Sequence, residues 1–385
     1  MKYSSDGYGP TSVFQRFIHV AQLRHSRTCD ILIAPCESPT LRISTLPSTY
    51  VIMSSQNNVD LLPSSCITLE EHATFRALGD ESPFYTQIWK TFPKQRRALL
   101  DHDTERLADM DAGHVSIQVL SQLPGIGMTN PSGCHAANNE LAAVIKAHPT
   151  RFAGWAVLAM ADPEKAAQEL KRAVTELGLV GAMVDNHLPD MTHYDDKRFW
   201  PVFATAERLD VPIYLHPAPA SDSVMAARFN GADGGYSTIV AQGLSTGAWG
   251  WHEYLGLHVV KLYAAGLFQQ FPRLKIVIGH MGEMIPMMID RIERLKFFTT
   301  GGLGSFRAVW ERNVWVTTSG IFSVRTLEML LKVTPLERVL YSVDTPFETN
   351  ATGWRFIEEL ARSGLFSKDE MEQFVRGNAR KLLKI

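Results

Sequence analysis

From Cys66 to the C-terminus, short apolar runs rich in β-branched residues alternate with stretches of helical periodicity. No other feature restricts the fold of this 385-residue chain so tightly. Runs at 67–72, 115–121, 152–159, 180–186, 212–216, 275–280, 313–318 and 338–344 predict strands. Segments 137–148, 163–177, 199–209, 253–270, 285–297, 323–333, 351–363 and 368–383 predict helices, and Asp162-Pro163 opens one of them while Gly178 closes it. Nearly continuous apolar strands belong to a parallel sheet covered on its outer side, because crossover helices leave neither face wet. The alternation therefore predicts an α/β fold, a (β/α)8 TIM-type barrel with extended βα loops. No Gly-x-Gly-x-x-Gly turn follows the first run, which removes the main support for a doubly wound open sheet.

Residues 1–62 do not share this pattern. They are rich in Ser, Thr and Pro and poorly periodic, and are read as a disordered or mis-assigned N-terminal extension ahead of a barrel over 63–385. Their arginines are interleaved with Asp6, Asp30 and Glu37, unlike a transit peptide, and no secretory cleavage pattern is seen. A net charge of −2 gives no electrostatic case for nucleic acid or an anionic membrane, and no apolar run reaches the length of a membrane span. Cys29, Cys36, Cys66 and Cys134 lack metal-type spacing and are too sparse for a disulfide scaffold, so a reducing, cytoplasmic setting is expected.

A barrel gathers the C-terminal ends of its strands into one ring, where sites are built. Those ends carry Glu70 and His72 on the first strand, His216 on the fifth, His280 on the sixth and Asp344 on the eighth. Glu70 and His72 are two residues apart, so regular strand geometry puts them on one face, opposite Leu69 and Glu71. Glu71 is accordingly expected to be dispensable to a metal. Buried carboxylates and imidazoles need partners, and one divalent ion satisfies several at once. Asn186 and His187 stand at the end of the fourth strand. The long 218–252 loop, rich in glycine and carrying Trp249 and Trp251, is expected to act as a mobile lid presenting an aromatic wall to a planar substrate.

Four blocks make the pattern specific: Glu70-x-His72, Leu215-His216-Pro217, Ile278-Gly279-His280-Met281-Gly282-Glu283 and Ser342-Val343-Asp344-Thr345-Pro346-Phe347. Together with Tyr194-Asp195-Asp196-x-x-Phe199-Trp200-Pro201-Val202-Phe203 they resemble the amidohydrolase superfamily. The closer likeness is to its non-oxidative decarboxylases, including γ-resorcylate, 2,3-dihydroxybenzoate and aminocarboxymuconate semialdehyde decarboxylases. The resemblance implies Glu70, His72, His216 and Asp344 as metal ligands and His280, Asp344 and Glu283 as catalytic residues. It further implies Arg291, with Asn186, Trp249 and Trp251, around the substrate, Arg291 meeting a carboxylate or pairing with Glu283. A homodimer or homotetramer is implied as well. The lid sequence matches no decarboxylase pattern.

Two carboxylates and two imidazoles suit Zn2+ first and admit Mn2+. On this reading the chain releases CO2 from a small aromatic acid of the ortho-hydroxybenzoate type, the ring carbon being protonated by Asp344 or His280. The alternative is metal-dependent hydrolysis of a lactone or amide, with Asp344 as general base. A binding barrel without catalysis is disfavoured, since no ligand is missing.

Overall fold

The computed structural model describes residues 61–385 apart from Thr300. The expected extension therefore lies outside the described residues except for Leu61 and Leu62, which are half-buried and pack against the core. The strands are β1 Cys66–Ala73, β2 Val115–Gln122, β3 Phe152–Gly154, β4 Ala156–Val157, β5 Ala182–Asp185, β6 Ile213–His216, β7 Ile276–Ile278, β8 Val314–Thr317 and β9 Val339–Leu340. They pair in parallel in the orders β1-β2-β3 and β4-β5-β6-β7-β8-β9.

Nine strands fill eight barrel positions because β3 and β4 are one extended run interrupted at Trp155. Its N–H donates to the Leu120 carbonyl at 2.9 Å, and the next N–H, of Ala156, donates to Gly181 at 2.9 Å. At the other seam Asp344 N–H donates to the Glu70 carbonyl at 3.0 Å and His72 N–H to Thr345 at 2.7 Å, beside a parallel bridge between Glu71 and Thr345. The last strand thus lies against the first, as the (β/α)8 reading requires.

Apolar burial explains both layers. Ile67, Leu69, Val119, Trp155, Tyr214, Val277, Trp315 and Leu340 fill the bore, joined by Ala379, Leu382 and Leu383 of the final helix, Asn378–Leu383. A larger cluster packs the helices onto the outside of the strands. The helices start where the chemistry favours it: Asp162 and Asn130 cap helices that have Pro163 and Pro131 in the first turn, and Ser367 and Glu370 form a reciprocal capping box.

The structure corrects several boundaries. The connection from β1 to β2 contains three helices, Pro83–Thr91, Pro93–Leu100 and Thr104–Ala112, each too short for periodicity alone to reveal. The helix expected at 253–270 starts at Gly250 and breaks at Gly266, whose φ of 80° ends it. The helix expected at 285–297 begins only at Ile289, because His280, Met281, Gly282, Glu283 and Met284 all take positive φ. Such a run of left-handed residues is costly, and it turns the chain sharply at the top of the barrel.

Candidate metal centre

The site begins with an irregularity in β1. Thr68 is opposite Gln118 and Glu71 opposite Leu120, so three steps along β1 match two along β2. The extra residue breaks the period-2 alternation, a known way of re-aiming side chains. Leu69 keeps to the bore with Ile67, as alternation requires, and past it Glu70 also turns inward to the strand ends. The expectation that Leu69 lies opposite Glu70 fails for this reason. The pairing of Glu70 with His72 does not.

Glu70, His72, His216 and Asp344 offer four ligand atoms all within 4.8 Å of one another. His216 Nε2 is 3.1 Å from Glu70 Oε1, and His72 Nε2 is 3.2 Å from Asp344 Oδ1. Glu70 Oε1, His72 Nε2 and His216 Nε2 are buried without a hydrogen-bond partner of sound geometry among the described residues. Three orphaned polar atoms converging on one point are expensive, and a divalent cation is what that donor set fits. Their far sides are already held. His216 Nδ1 faces the Pro217 carbonyl at 2.6 Å and His72 Nδ1 faces Ser121 Oγ at 3.1 Å, which frees both Nε2 lone pairs to point inward. Glu70 Oε2 accepts from Tyr214 OH, which also meets Thr317 Oγ1 at 2.8 Å. Burial alone would raise the Glu70 carboxyl, but the charges of His280, His216 and His72 outweigh it and hold it well below the usual range.

Beside this cluster lies an acid pair. His280 Nδ1 meets Glu283 Oε1 at 2.7 Å, while His280 Nε2 stands 3.5 Å from Glu70 Oε1 and 3.9 Å from Asp344 Oδ2. Burial opposes a charge on His280, yet Glu283, Glu70 and Asp344 overcome it and raise its pKa well above the usual value. Glu283 is pulled down to about 2 against the effect of its burial by His280 and His252. An imidazolium next to a metal-type cluster can donate a proton to a molecule seated there.

The other expected residues divide. Trp251 lies with its ring 6.1 Å from that of His216, and Trp249 is 51% exposed. Asn186 is buried beside His216: its N–H donates to the His216 carbonyl at 2.8 Å, its Oδ1 accepts from Ala218, and its Nδ2 has no partner among the described residues. Arg291 sits exposed on the helix Ile289–Arg294, and Glu283 is paired with two histidines instead, which corrects the expected Arg291–Glu283 contact. Glu71 is not one of the four clustered residues, and it has contacts of its own. Its carboxylate accepts from Ser342 Oγ, Val343 N–H, Thr345 N–H and Thr345 Oγ1 at 2.5–3.1 Å, and so fixes the segment that carries Asp344.

Sequence reasoning missed Tyr214, Phe347 and His252. Tyr214 was findable, since period 2 puts it on the His216 face of β6. Phe347, whose ring is 5.7 Å from His72, stood inside a quoted motif without being singled out. His252 had no local signal; only the fold brings its Nδ1 to 2.6 Å from Glu283 Oε2.

Comparison with known proteins agrees with this geometry. The profile of the family described as amidohydrolase matches residues 79–385. Decarboxylase orsB of Emericella nidulans is 43% identical over 83% of this chain and 97% of its own length. A γ-resorcylate decarboxylase of Polaromonas sp. is 34% identical over 83% of this chain and 98% of its own. The crystal structure of a dihydroxybenzoic acid decarboxylase from Polaromonas sp., with bound manganese and the inhibitor 2-nitroresorcinol, superposes with a TM-score of 0.72 at 30% identity, covering 84% of this chain and 97% of that one. With a barrel of this type, a four-ligand cluster at its strand ends and a profile match running to the last residue, the chain belongs to the amidohydrolase family.

Proposed function

We infer that this protein is a non-oxidative carboxy-lyase that removes CO2 from a small aromatic acid with a hydroxyl ortho to the carboxylate. One observation carries the reading: a buried two-carboxylate, two-imidazole cluster with three orphaned donor atoms lies within 4 Å of the hydrogen-bonded His280–Glu283 pair. The decarboxylase names of the similar proteins support it. Glu70, His72, His216 and Asp344 would hold one divalent ion. Bound there, that ion supplies Lewis acidity toward the carboxylate and ortho oxygen of the acid. Zn2+ is the ion expected from the donor set and Mn2+ the one bound by the Polaromonas relative; two carboxylates and two imidazoles accept either.

The residues divide the work. Trp251 and Phe347 offer aromatic faces to the ring, and the free amide of Asn186 offers a donor to an anionic oxygen. His280, held through Nδ1 by Glu283, or Asp344 beside it, delivers a proton to the ring carbon bearing the carboxylate. The bond to the carboxylate carbon then breaks, its electron pair restores the aromatic ring, CO2 leaves, and solvent reprotonates the donor. The exposed apolar side chains Ile239, Val240, Leu244, Trp249 and Leu257 support a homodimer or homotetramer, to be tested by mass photometry. No helix among the described residues is long and apolar enough to cross a membrane.

The test is metal-loaded protein incubated with a panel of ortho-hydroxybenzoates and a panel of lactones and amides. CO2 release from the first panel, lost in Asp344→Asn, is expected. Acid release from the second without CO2 from the first would overturn the reading in favour of a hydrolase.

A further inference from the structure

His252 stands outside the ligand cluster, yet it is 9% exposed and both of its ring nitrogens are engaged. Nδ1 is 2.6 Å from Glu283 Oε2, and Nε2 is 2.8 Å from the carbonyl oxygen of Gly247. A carbonyl oxygen accepts only, and so does an ionised carboxylate. His252 therefore bridges the loop backbone and the carboxylate that orients His280. The His252 and His280 rings lie 4.8 Å apart, one on each oxygen of Glu283. Gly247 belongs to the turn between the helices Thr238–Ser245 and Gly250–Ala264, and that turn carries Trp249. The turn is built tightly at its far end: a Cβ on Gly250 would come within 2.4 Å of the Ser245 carbonyl oxygen.

We propose that His252 is a positioning residue that clamps the Gly247 turn to Glu283, so that the loop over the site and the proton-donating His280 are set by one side chain. The bond to Glu283 fixes which way the carboxylate faces and therefore where His280 Nε2 points. The bond to Gly247 fixes the backbone that leads into Trp249 and Trp251. Release of the loop and loss of acid alignment are then the same event.

This inference rests on the carboxy-lyase reading for its catalytic half, and the experiment separates the two. His252→Phe preserves the ring volume and removes both bonds. Backbone amide hydrogen exchange over 243–251 in the metal-loaded protein is expected to accelerate about 10-fold or more, while exchange in the barrel strands and metal content stay unchanged. On the preferred hydroxybenzoate, kcat is expected to fall about 10-fold with KM changing less, the scale seen when a partner behind a functional residue is lost. If the Phe variant does not fold, His252→Gln, which keeps one donor, carries the same readouts at smaller amplitude. Unchanged exchange over 243–251 overturns the clamp. Faster exchange with unchanged kcat overturns the positioning of the acid. Wild-type protein inactive on every hydroxybenzoate instead refutes the carboxy-lyase reading, and the exchange result then still decides the clamp.

Discussion

Gly279 has φ −84° and ψ −167°, a conformation open to any residue, so its backbone does not call for glycine. Space does. A Cβ at this position would stand 2.6 Å from Glu70 Oε2 and 3.3 Å from both Cδ and Oε1. Ordinary contact begins near 3.4 Å, so Gly279→Ala must displace the carboxylate by about 0.8 Å. The end of a free glutamate would yield at little cost, but this one is pinned: Tyr214 holds Oε2, and Oε1 belongs to the ligand cluster next to His216. The added methyl must either break the tyrosine contact or push Oε1 out of the cluster. Overpacking of this kind costs about 1–3 kcal/mol of stability. A displaced ligand should also weaken metal binding by roughly 10- to 100-fold, as disturbance of a ligand's support does elsewhere. Titration of metal-stripped protein with Mn2+ by calorimetry measures the affinity, and urea denaturation measures the stability. An alanine variant that binds Mn2+ with wild-type affinity and unfolds at the same urea concentration would refute the steric argument, and with it the placement of Glu70.

Three further outcomes follow from the same geometry. Glu71→Ala strips the buried N–H groups of Val343 and Thr345 of their acceptor and should cost at least about 3 kcal/mol in urea denaturation, whereas a mere bystander would cost under about 0.5 kcal/mol. Glu283 is held at about 2 in the folded protein against an ordinary 4.5, so the unfolded chain takes up the proton first as pH falls. Its contribution of about 3 kcal/mol is present above pH 4.5 and lost from there down to pH 2, and Glu283→Gln should flatten the stability–pH curve over that window in circular-dichroism melts. Chelation of the metal should abolish CO2 release and lower the melting temperature. Restoring free ion to about 100 times its dissociation constant should return about 2.7 kcal/mol, and a melting temperature indifferent to both treatments would exclude a bound ion.

Hydrophobic alternation and strand-end chemistry already determine much of this protein. Strand burial depends on local composition, so the eight β–α units could be read directly. Once a barrel is assumed, Glu70, His72, His216 and Asp344 must meet, because they end strands that share one rim. Tertiary structure decided whatever depends on a neighbour distant in sequence. The irregularity of β1 against β2 sends Leu69 and Glu70 to the same side, and a strand read in isolation cannot show it. Glu71 was expected to be dispensable to a metal, but four of its donors come from 342–345 and meet it only where the last strand meets the first. Arg291 was expected to meet a carboxylate or to pair with Glu283, yet it lies exposed on its helix and Glu283 is paired with histidines. His252 is the clearest case. In the sequence it is one residue in Trp249-Gly250-Trp251-His252, and it gains meaning only when the fold places it between Gly247 and Glu283. A ligand set can be inferred from residue types at strand ends, but the groups that aim those ligands are chosen by packing, which no spacing records.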